Sequence, residues 1–330
     1  RTADRLKLFF ESRRNGGDEA VIQLYRKEYR EGFIADVGAR IRRSVTTREP
    51  FRERLVHFWS NHFTVSAVRP VVAGIAVAFE DEAIRPNVTG RFADLLLAAV
   101  RHPAMILYLD QAESIGPKSR AGERRQRGLN ENLAREILEL HTLGVDGGYT
   151  QDDVIALARI FTGWGLPQGL RLHPVNGDGF YFDSSRHDRG TKIFLGHTIR
   201  GDGIREGEQA MDILVGNPKT AHHIAFQLAQ YFVADQPDPA LVEMLAQRFL
   251  DTDGDIREVM AALLNSPQFW APANVGNKFK TPYDYVVSAV RLSGLDVADV
   301  RPIANQLAQL GMPIYGYQTP DGYKNTRDRS

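Results

Sequence analysis

The sequence predicts a mostly α-helical fold, with one multi-helical domain over residues 1–330 and a small β-hairpin or irregular insertion around 165–207. Apolar residues recur at three- and four-residue steps along most of the chain, as in "DEAVIQLYRKEYREGFIADVGARIRRSV", which is typical of amphipathic helices. Within the insertion, Gly, Pro and Asp are frequent, and "GFYFD" and "TKIFLGHTI" alternate apolar and polar residues. This alternation favours short strands.

Helix start and stop signals support this fold class in order along the chain. Pro50 stands near a predicted helix start, and Pro103 allows a break or a new start. Residues 113–129 are rich in Gly, Ser and Arg and predict a long, basic surface loop. Thr150 with Asp153 approximates a capping box. Beyond the insertion, helical periodicity resumes and continues through "PYDYVVSAVRLSGL".

Composition excludes several classes of protein. The 41 basic and 41 acidic residues balance, which argues against a general nucleic-acid surface. No apolar run is long enough for a transmembrane helix, so none is predicted. The chain has no cysteine, which excludes disulfides, thiolate metal sites and thiol catalysis. The absence of an initial Met and the polar end "GYKNTRDRS" predict that both termini of the natural protein are missing.

The stretch "NENLAREILELHTLG", residues 130–144, predicts an amphipathic helix with an unusual distribution of polar residues. At 100° per residue, Asn132, Glu136 and Glu139 share the polar arc. His141 falls on the apolar side, where an unpaired polar group costs about 1–3 kcal/mol. The helix is therefore either an ordinary solvated face or the wall of a site.

An ion-pair ladder accounts for only part of this helix. Glu131, Arg135 and Glu139 follow one another at four-residue spacing, which is common on solvated helix surfaces. The ladder does not explain Asn132 and Glu136, which lie at the opposite edge of the polar arc. Both interpretations of the acidic residues stay open at this point.

Two further clusters could carry chemistry. In "HFWSNHF", Asn61 and His62 lie between aromatic residues that desolvate the imidazole, although a core histidine bonded to a backbone carbonyl is preferred for this cluster taken alone. In "SSRHDRGTK", His187, Asp188 and Lys192 lie on a predicted loop, where functional residues concentrate. A local turn capped by Asp188 explains the second cluster equally well.

Several of these stretches together resemble the DUF1800 family, bacterial proteins of unknown function. The resemblance is carried by "FRERLVHFWSNHFTVS", "GLNENLAREILELHTLGVDGGYTQDDVIALARIFTGWG", "RHDRGTKIFLGHTI" and "KFKTPYDYVVSAVRLSG", and it extends to "LGMPIYGYQTPDGYKNT" near the end of the chain. The family's recurring motif residues fall here on Asn61, His62, Asn130, Asn132, Arg135, Glu136, Glu139, Tyr149, Arg159, Trp164, His187 and Lys192.

The resemblance carries further implications. Many relatives have Phe in place of His141, which implies a packing role for this histidine. Family members typically continue beyond the last residue of this chain, which implies a fragment. Their genes often neighbour those of DUF1501 proteins, which resemble exported sulfatase-like enzymes, so the resemblance favours a periplasmic or secreted location.

The preferred functional hypothesis is a hydrolase acting on a polysaccharide, with no cofactor. Two carboxylates can divide the acid and base roles if their environments differ. Carboxylates three residues apart on one helix are usually closer than a glycosidase pair, so a group on another segment, such as Asp188, is needed. The predicted catalytic residues are Glu136, Glu139, His62, His187 and Asp188. The predicted substrate-binding residues are Asn61, Asn132, Arg135, Tyr149, Arg159, Trp164 and Lys192, with Tyr149 and Trp164 as stacking platforms.

Two alternatives remain. One is a divalent metal ion bound by His62, Glu136, Glu139 and His187, although the usual Glu-x-x-His spacing is absent from the polar face. The other is a non-catalytic helical scaffold or a partner of a DUF1501-type protein. In that case the charges around Arg135 form a structural network, and the basic loop at 118–127 is a docking segment.

Overall fold

The computed structural model describes residues 2–13, 19–124, 128–167, 179–294 and 296–327. Helices dominate these residues, and their strands form two small hairpins. The prediction of a mostly α fold is therefore confirmed. In the part of the chain that the structure describes, no helix combines the length and the apolar character needed to cross a membrane.

The helices vary from single turns to the long α2. In chain order they are α1 (Thr2–Arg13), α2 (Glu19–Thr46), α3 (Pro50–His62), α4 (Pro70–Ala73), α5 (Ala76–Phe79), α6 (Phe92–Arg101), α7 (Pro103–Tyr108), α8 (Asn132–Glu136), α9 (Gln151–Phe161), α10 (Arg205–Val215), α11 (Pro218–Phe232), α12 (Pro239–Asp251), α13 (Ile256–Asn265), α14 (Pro282–Ser293) and α15 (Arg301–Gln309). Two π-helical turns continue α5 and α8, at Glu80–Ile84 and Ile137–His141.

The predicted helix starts are confirmed at their caps. Helix α3 begins at Pro50 and α7 at Pro103, where the missing amide of proline costs no intrahelical bond. At the start of α9 the capping box is complete. The Asp153 carboxylate accepts the Thr150 amide at 2.8 Å, and the Thr150 hydroxyl accepts the Asp153 amide at 3.3 Å.

The predicted β insertion contains both hairpins. The strands are β1 (Trp164–Gly165), β2 (Tyr181–Phe182), β3 (Lys192–Phe194) and β4 (His197–Ile199), with β1 antiparallel to β2 and β3 antiparallel to β4. Residues 168–178 of the insertion lie outside the described residues. Leu195 and Gly196 join β3 to β4 with φ angles of 47° and 78°. The Asp153 carboxylate accepts the Leu195 amide at 2.8 Å, which helps to hold a bulky residue in the left-handed region.

The residue contacts group the chain into two compact units. Unit 1 comprises residues 1–88 and 276–330, and unit 2 comprises residues 89–275. The prediction of a single domain stays a prediction, and each unit is described by itself. In unit 1, α14 and α15 pack on α2, and the large buried side chains of this unit include Ile41, Leu55, Trp59, Phe63 and Phe79. In unit 2, α10 packs on α6 and α9, and α11, α12 and α13 pack in succession, with a core that includes Phe92, Phe161, Trp164, Phe194 and Phe249.

The prediction of a surface loop at 113–129 is wrong for part of its length. Ser114, Ile115 and Ser119 are at most 1% exposed. The Gly116 amide donates to the Arg186 carbonyl at 2.9 Å, so this stretch packs against the segment before Asp188. A Cβ on Gly116 would lie 2.5 Å from Asp188 Cα, a separation that only glycine permits. Residues 125–127 of the loop are outside the described residues.

Candidate functional site

The helix of residues 132–141 changes its winding in the middle. It is α-helical over Asn132–Glu136 and π-helical over Ile137–His141. Its apolar side is buried as predicted, including Leu133 and Leu138. His141 is 1% exposed, so its predicted place in the core is confirmed. A π turn inside a helix is rare and often marks a functional position, and here the π turn begins directly after Glu136 and contains Glu139.

The predicted ion-pair ladder is present on this helix. Arg135 Nη2 lies 3.1 Å from Glu131 Oε2, and Arg135 Nη1 lies 3.7 Å from Glu139 Oε1. Gln151, at the start of α9, donates to the same Glu131 oxygen at 2.8 Å. All three charged side chains are between 31% and 40% exposed, so the ladder lies at the surface and its electrostatic contribution to stability is small.

Tyr149 lies close both to Glu139, the last residue of the ladder, and to Glu136, which the ladder leaves unexplained. Its hydroxyl is hydrogen-bonded to Glu139. Burial, followed by the negative charge of Glu139 and then by Glu136, raises the pKa of Tyr149 to about 12. The phenol is therefore protonated at neutral pH and acts as a hydrogen-bond donor. Glu136, Glu139, Arg135 and Tyr149 thus come together in unit 2, as a half-exposed group that we call the acidic turn.

A recess of about 550 Å³ lies at the start of α8. Its lining is mostly polar and comprises Glu113, Gly128, Leu129, Asn130, Glu131 and Asn132. Asn130 is tied to the backbone, because its Nδ2 donates to the Asp110 carbonyl at 3.1 Å and its Oδ1 accepts the Asn132 amide at 2.9 Å. Asn132 is exposed. We call this space the α8 recess.

His187 and Lys192 meet on one buried carboxylate. Glu206 Oε1 lies 2.9 Å from His187 Nε2, and Glu206 Oε2 accepts from Lys192 Nζ at 2.7 Å. His187 Nδ1 lies 2.8 Å from the Thr162 carbonyl, so both ring nitrogens face acceptor oxygens. Lys192 and Glu206 are fully buried. Burial alone would raise the pKa of Glu206, but the hydrogen bonds and charges of His187 and Lys192 lower it.

Asp188 extends the same network to α9. Its carboxylate pairs with Arg159 at 2.7 Å and accepts the Lys118 amide at 3.0 Å, while its own amide donates to Thr162. Asp188 is 0% exposed. The structure thus brings His187, Asp188, Lys192 and Arg159 into one largely buried network of ion pairs and hydrogen bonds. This environment favours a positioning role for these four predicted site residues.

Glu206 was missed by reasoning from the sequence, although a signal exists. The buried residues of α10 recur at helical spacing, and Glu206 lies on the same face as Ala210 and Leu214. A carboxylate on an apolar face requires a partner, because a buried unpaired charge is costly. The sequence therefore contains the sign of a buried ion pair, but it does not name Lys192 as the partner.

Trp164 does not offer a free ring face. It is 1% exposed and packs against Phe161 and Phe180, with ring centroids 4.8 and 5.3 Å away. The Arg101 guanidinium lies over its ring at 4.9 Å. A Cβ on Gly207 would lie 2.1 Å from the indole. This packing favours a core role over the predicted stacking platform.

Asn61 and His62 belong to unit 1. Asn61 clamps the backbone of Tyr323, with Nδ2 donating to its carbonyl at 2.9 Å and Oδ1 accepting its amide at 2.8 Å. His62 is 8% exposed and lies edge-on to Trp59 and Phe63, as its aromatic neighbours in the sequence predict. The other predicted site residues belong to unit 2, so the convergence of all of them in one site stays a prediction.

Unit 1 contains a second buried carboxylate that sequence reasoning missed. Glu80 is 0% exposed, and its Oε2 accepts hydrogen bonds from Arg40 at 2.7 Å, Ser60 at 3.0 Å and Tyr315 at 3.0 Å. Burial alone would raise the pKa of Glu80, but the charge of Arg40 and the hydrogen bond from it bring the pKa down to about 2. Glu80 begins the other π turn, so both π turns carry acidic residues.

The described residues provide no set of ligands for the alternative of a bound divalent metal ion. Among the described residues, no group of three or more His, Asp or Glu side chains is arranged to hold a metal ion.

Fold and site together define a class of protein: a mostly α-helical chain with two compact units, buried ionic networks in both, and an acidic turn whose Arg135 pairs with Glu131 of a polar recess. The family described as "Protein of unknown function (DUF1800)" matches residues 3–329, and the chain belongs to this family. The resemblance predicted from the motifs is confirmed. Neither the curated proteins nor the solved structures yield a match to this chain.

Proposed function

We propose that this protein is a hydrolase that acts on a polysaccharide, with Glu136 and Glu139 as its reacting groups. The observation that carries the proposal is the acidic turn, where Tyr149 is hydrogen-bonded to Glu139 close to Glu136. Two carboxylates where an α-helix changes to a half-exposed π turn, with a protonated phenol beside them, are a set of groups suited to proton transfer.

The groups of the acidic turn can divide the roles that hydrolysis of a glycosidic bond requires. One group must protonate the leaving oxygen, and a carboxylate must act as a base or a nucleophile. Glu139 accepts a hydrogen bond from the Tyr149 hydroxyl and lies 3.7 Å from Arg135, so both neighbours orient the Glu139 carboxylate. Glu139 is therefore the base or nucleophile in this proposal, and Glu136 is the acid.

Tyr149 adds a hydrogen-bonding group from a second segment to the two carboxylates of the helix. Asp188 was the predicted candidate for this position, but it is fully buried and bound to Arg159. A phenol with a pKa of about 12 keeps its proton at neutral pH and is a poor nucleophile. Tyr149 therefore keeps its single O–H on Glu139 and holds that carboxylate in place, and its oxygen accepts a hydrogen bond from a substrate hydroxyl.

The α8 recess is the substrate site in this proposal, and its lining residue Glu131 pairs with Arg135 of the acidic turn. Its volume of about 550 Å³ is within the range of small-ligand pockets. Carboxylate and amide groups of Glu113, Glu131 and Asn132 can bond to sugar hydroxyls, which are both donors and acceptors. A polyhydroxylated ligand fits such a lining better than an apolar one.

The interior network of His187, Asp188, Lys192 and Arg159 supports the site in this proposal. It fixes the segment before β3 to α9 and α10 through buried charged contacts. Replacing these residues would lower stability along with activity, which separates them from the reacting groups.

The test is the rate of reducing-end release from a panel of neutral and anionic polysaccharides. Glu136→Gln and Glu139→Gln should each lower the rate by at least about 100-fold, because general acid–base catalysis contributes factors of about 10² to 10⁴. Tyr149→Phe should lower the rate by a smaller factor. Glu243→Gln, which replaces an exposed residue of α12, is the matched control and should retain full activity. A Glu136→Gln variant with the wild-type rate would remove Glu136 from the mechanism.

A non-catalytic scaffold is the second candidate, and one observation favours it. The interior charges of both units, around Glu80 and Glu206, are bound by protein groups, which is what a structural network requires. The partner proposed for such a scaffold is an exported DUF1501-type protein, which would place this chain in the periplasm or outside the cell. Co-elution of the two purified proteins, without turnover of any polysaccharide by this chain alone, would favour the scaffold.

A further inference from the structure

A strip of aromatic rings lies in unit 1, and none of its residues belongs to the proposed active site. Phe10 and Phe9 of α1 have ring centroids 5.4 Å apart, Phe9 and Tyr25 5.7 Å apart, and Tyr25 and Tyr29 of α2 5.9 Å apart. All four rings are half-buried. The strip therefore combines packing between α1 and α2 with aromatic surface that remains accessible.

Two cavities adjoin this strip. The inner one has a volume of about 190 Å³, and it contains charges of both signs, from Asp4, Arg5 and Glu28. Arg5 is already bound there to Asp36 and to the Gly74 carbonyl. The Arg5 guanidinium of the inner cavity is therefore already paired within the protein and is not available to bind an anionic ligand.

The outer cavity is larger and has a different charge. It has a volume of about 610 Å³ and opens to solvent, and its lining includes Phe9, Tyr25, Tyr29, Val71, Arg26 and Arg30. We call it the aromatic recess. Its charged lining residues are Arg26 and Arg30, both exposed and one turn apart on α2. Within the described residues neither guanidinium meets a carboxylate, and two like charges at this spacing repel each other.

We propose that the aromatic recess binds an acidic glycan, a chain of sugars that carry carboxylate groups. The flat faces of the sugar rings stack on Phe9, Tyr25 and Tyr29, and the carboxylates pair with Arg26 and Arg30. Arg is suited to this role because its planar guanidinium binds a carboxylate through two parallel hydrogen bonds. An anion between the two guanidinium groups also removes their mutual repulsion.

This inference rests on the proposed function in that it takes a sugar polymer as the substrate, and it names the class of that polymer. Single-stranded nucleic acid also combines flat rings with anions. It fits less well, because it needs a cationic path for a phosphate at every nucleotide, whereas the inner end of the strip carries Asp4 and Glu28.

The experiment is isothermal titration of the full chain carrying Glu136→Gln, which prevents turnover during the measurement if the proposed function holds. The probes are a hexamer of galacturonic acid, cellohexaose as the neutral hexamer of equal length, and an oligothymidylate. The acidic hexamer should bind at least about tenfold more tightly than cellohexaose, and its binding should weaken as salt rises from about 50 mM to about 300 mM.

The variants locate the binding site. Arg26→Gln combined with Arg30→Gln should weaken binding of the acidic hexamer at least about tenfold. Lys27→Gln combined with Arg42→Gln removes two positive charges from exposed positions of the same helix outside the recess, and it should leave the affinity unchanged. Tyr25→Leu should weaken binding of the acidic hexamer as well, because it removes a stacking face.

Three outcomes would overturn the inference: no binding of the acidic hexamer, equal loss in both double variants, or tighter binding of oligothymidylate through Arg26 and Arg30. The proposed function fails separately. If the acidic hexamer binds through Arg26 and Arg30 but Glu136→Gln retains the wild-type rate, glycan binding at the aromatic recess is supported and the catalytic role of Glu136 is refuted. If Glu136→Gln abolishes turnover but the acidic hexamer does not bind, the recess alone is refuted.

Discussion

Replacing His141 by Phe should make the protein markedly less sensitive to acid. His141 is 1% exposed at the end of the π turn. Burial, followed by the charge of His223, lowers its pKa to about 3, against about 6.5 for a free histidine. Phe is apolar at every pH, and it is the residue that the family resemblance associates with this position.

Protonation of His141 favours the unfolded state in acid. Between about pH 3 and pH 6.5 the unfolded chain protonates His141 while the folded chain keeps it neutral. Stability is therefore lost as pH falls through about 6.5. At about pH 5 the loss is 1.5 pH units at about 1.4 kcal/mol each, or about 2 kcal/mol, and in His141→Phe it is absent.

The assay is urea unfolding of the wild type and His141→Phe at about pH 7.5 and at about pH 5, followed by circular dichroism. Any packing cost of the larger ring appears equally at both pH values. The difference in unfolding free energy between the two pH values should be about 2 kcal/mol smaller in the variant. His222→Gln, at an exposed position, is the control and should behave as the wild type. An identical pH dependence in all three proteins would refute a buried neutral His141.

Two other perturbations test the interior contacts of each unit. Glu206→Gln should destabilise the protein by about 3–5 kcal/mol in urea unfolding, because it leaves the buried Lys192 without its carboxylate. Glu208→Gln, which breaks a more exposed pair with Arg101 on the same helix, should cost no more than about 1 kcal/mol, and equal costs would contradict a special role for Glu206. Asn61→Ala should cost about 1–3 kcal/mol and speed hydrogen exchange of the Tyr323 amide, since it removes both bonds of the Asn61 clamp. Unchanged exchange at Tyr323 would show that another group protects this amide.

Local signals in the sequence predicted much of the fold. Pro50 and Pro103 mark helix starts, and Thr150 with Asp153 forms a complete capping box, because the interactions at a helix start involve only neighbouring residues. The alternation in "TKIFLGHTI" predicted strands there for the same reason, and β3 and β4 form within it. The sequence did not predict the π turn at Ile137–His141, because a helical wheel drawn at 100° per residue assumes a regular α-helix.

The candidate site was predictable in part. The polar arc of the helix identified Glu136 and Glu139, and the ladder with Arg135 followed from four-residue spacing. The partners of buried charges were not predictable, because they come from distant segments. Arg40 and Tyr315, for example, are 40 and 235 residues away from Glu80. The composition of the loop at 113–129 predicts a solvated segment, but Gly116 packs directly against the backbone of Asp188.

If the acidic turn hydrolyses a glycosidic bond, an oxygen atom of water enters each new reducing end. The most direct measurement is mass spectrometry of the products formed from a responsive polysaccharide in water labelled with oxygen-18. We expect one labelled oxygen at each new reducing end with the wild type and with Glu243→Gln, and none above the uncatalysed background with Glu136→Gln. Equal labelled product from Glu136→Gln, or no product from the wild type on any polysaccharide tested, would contradict it.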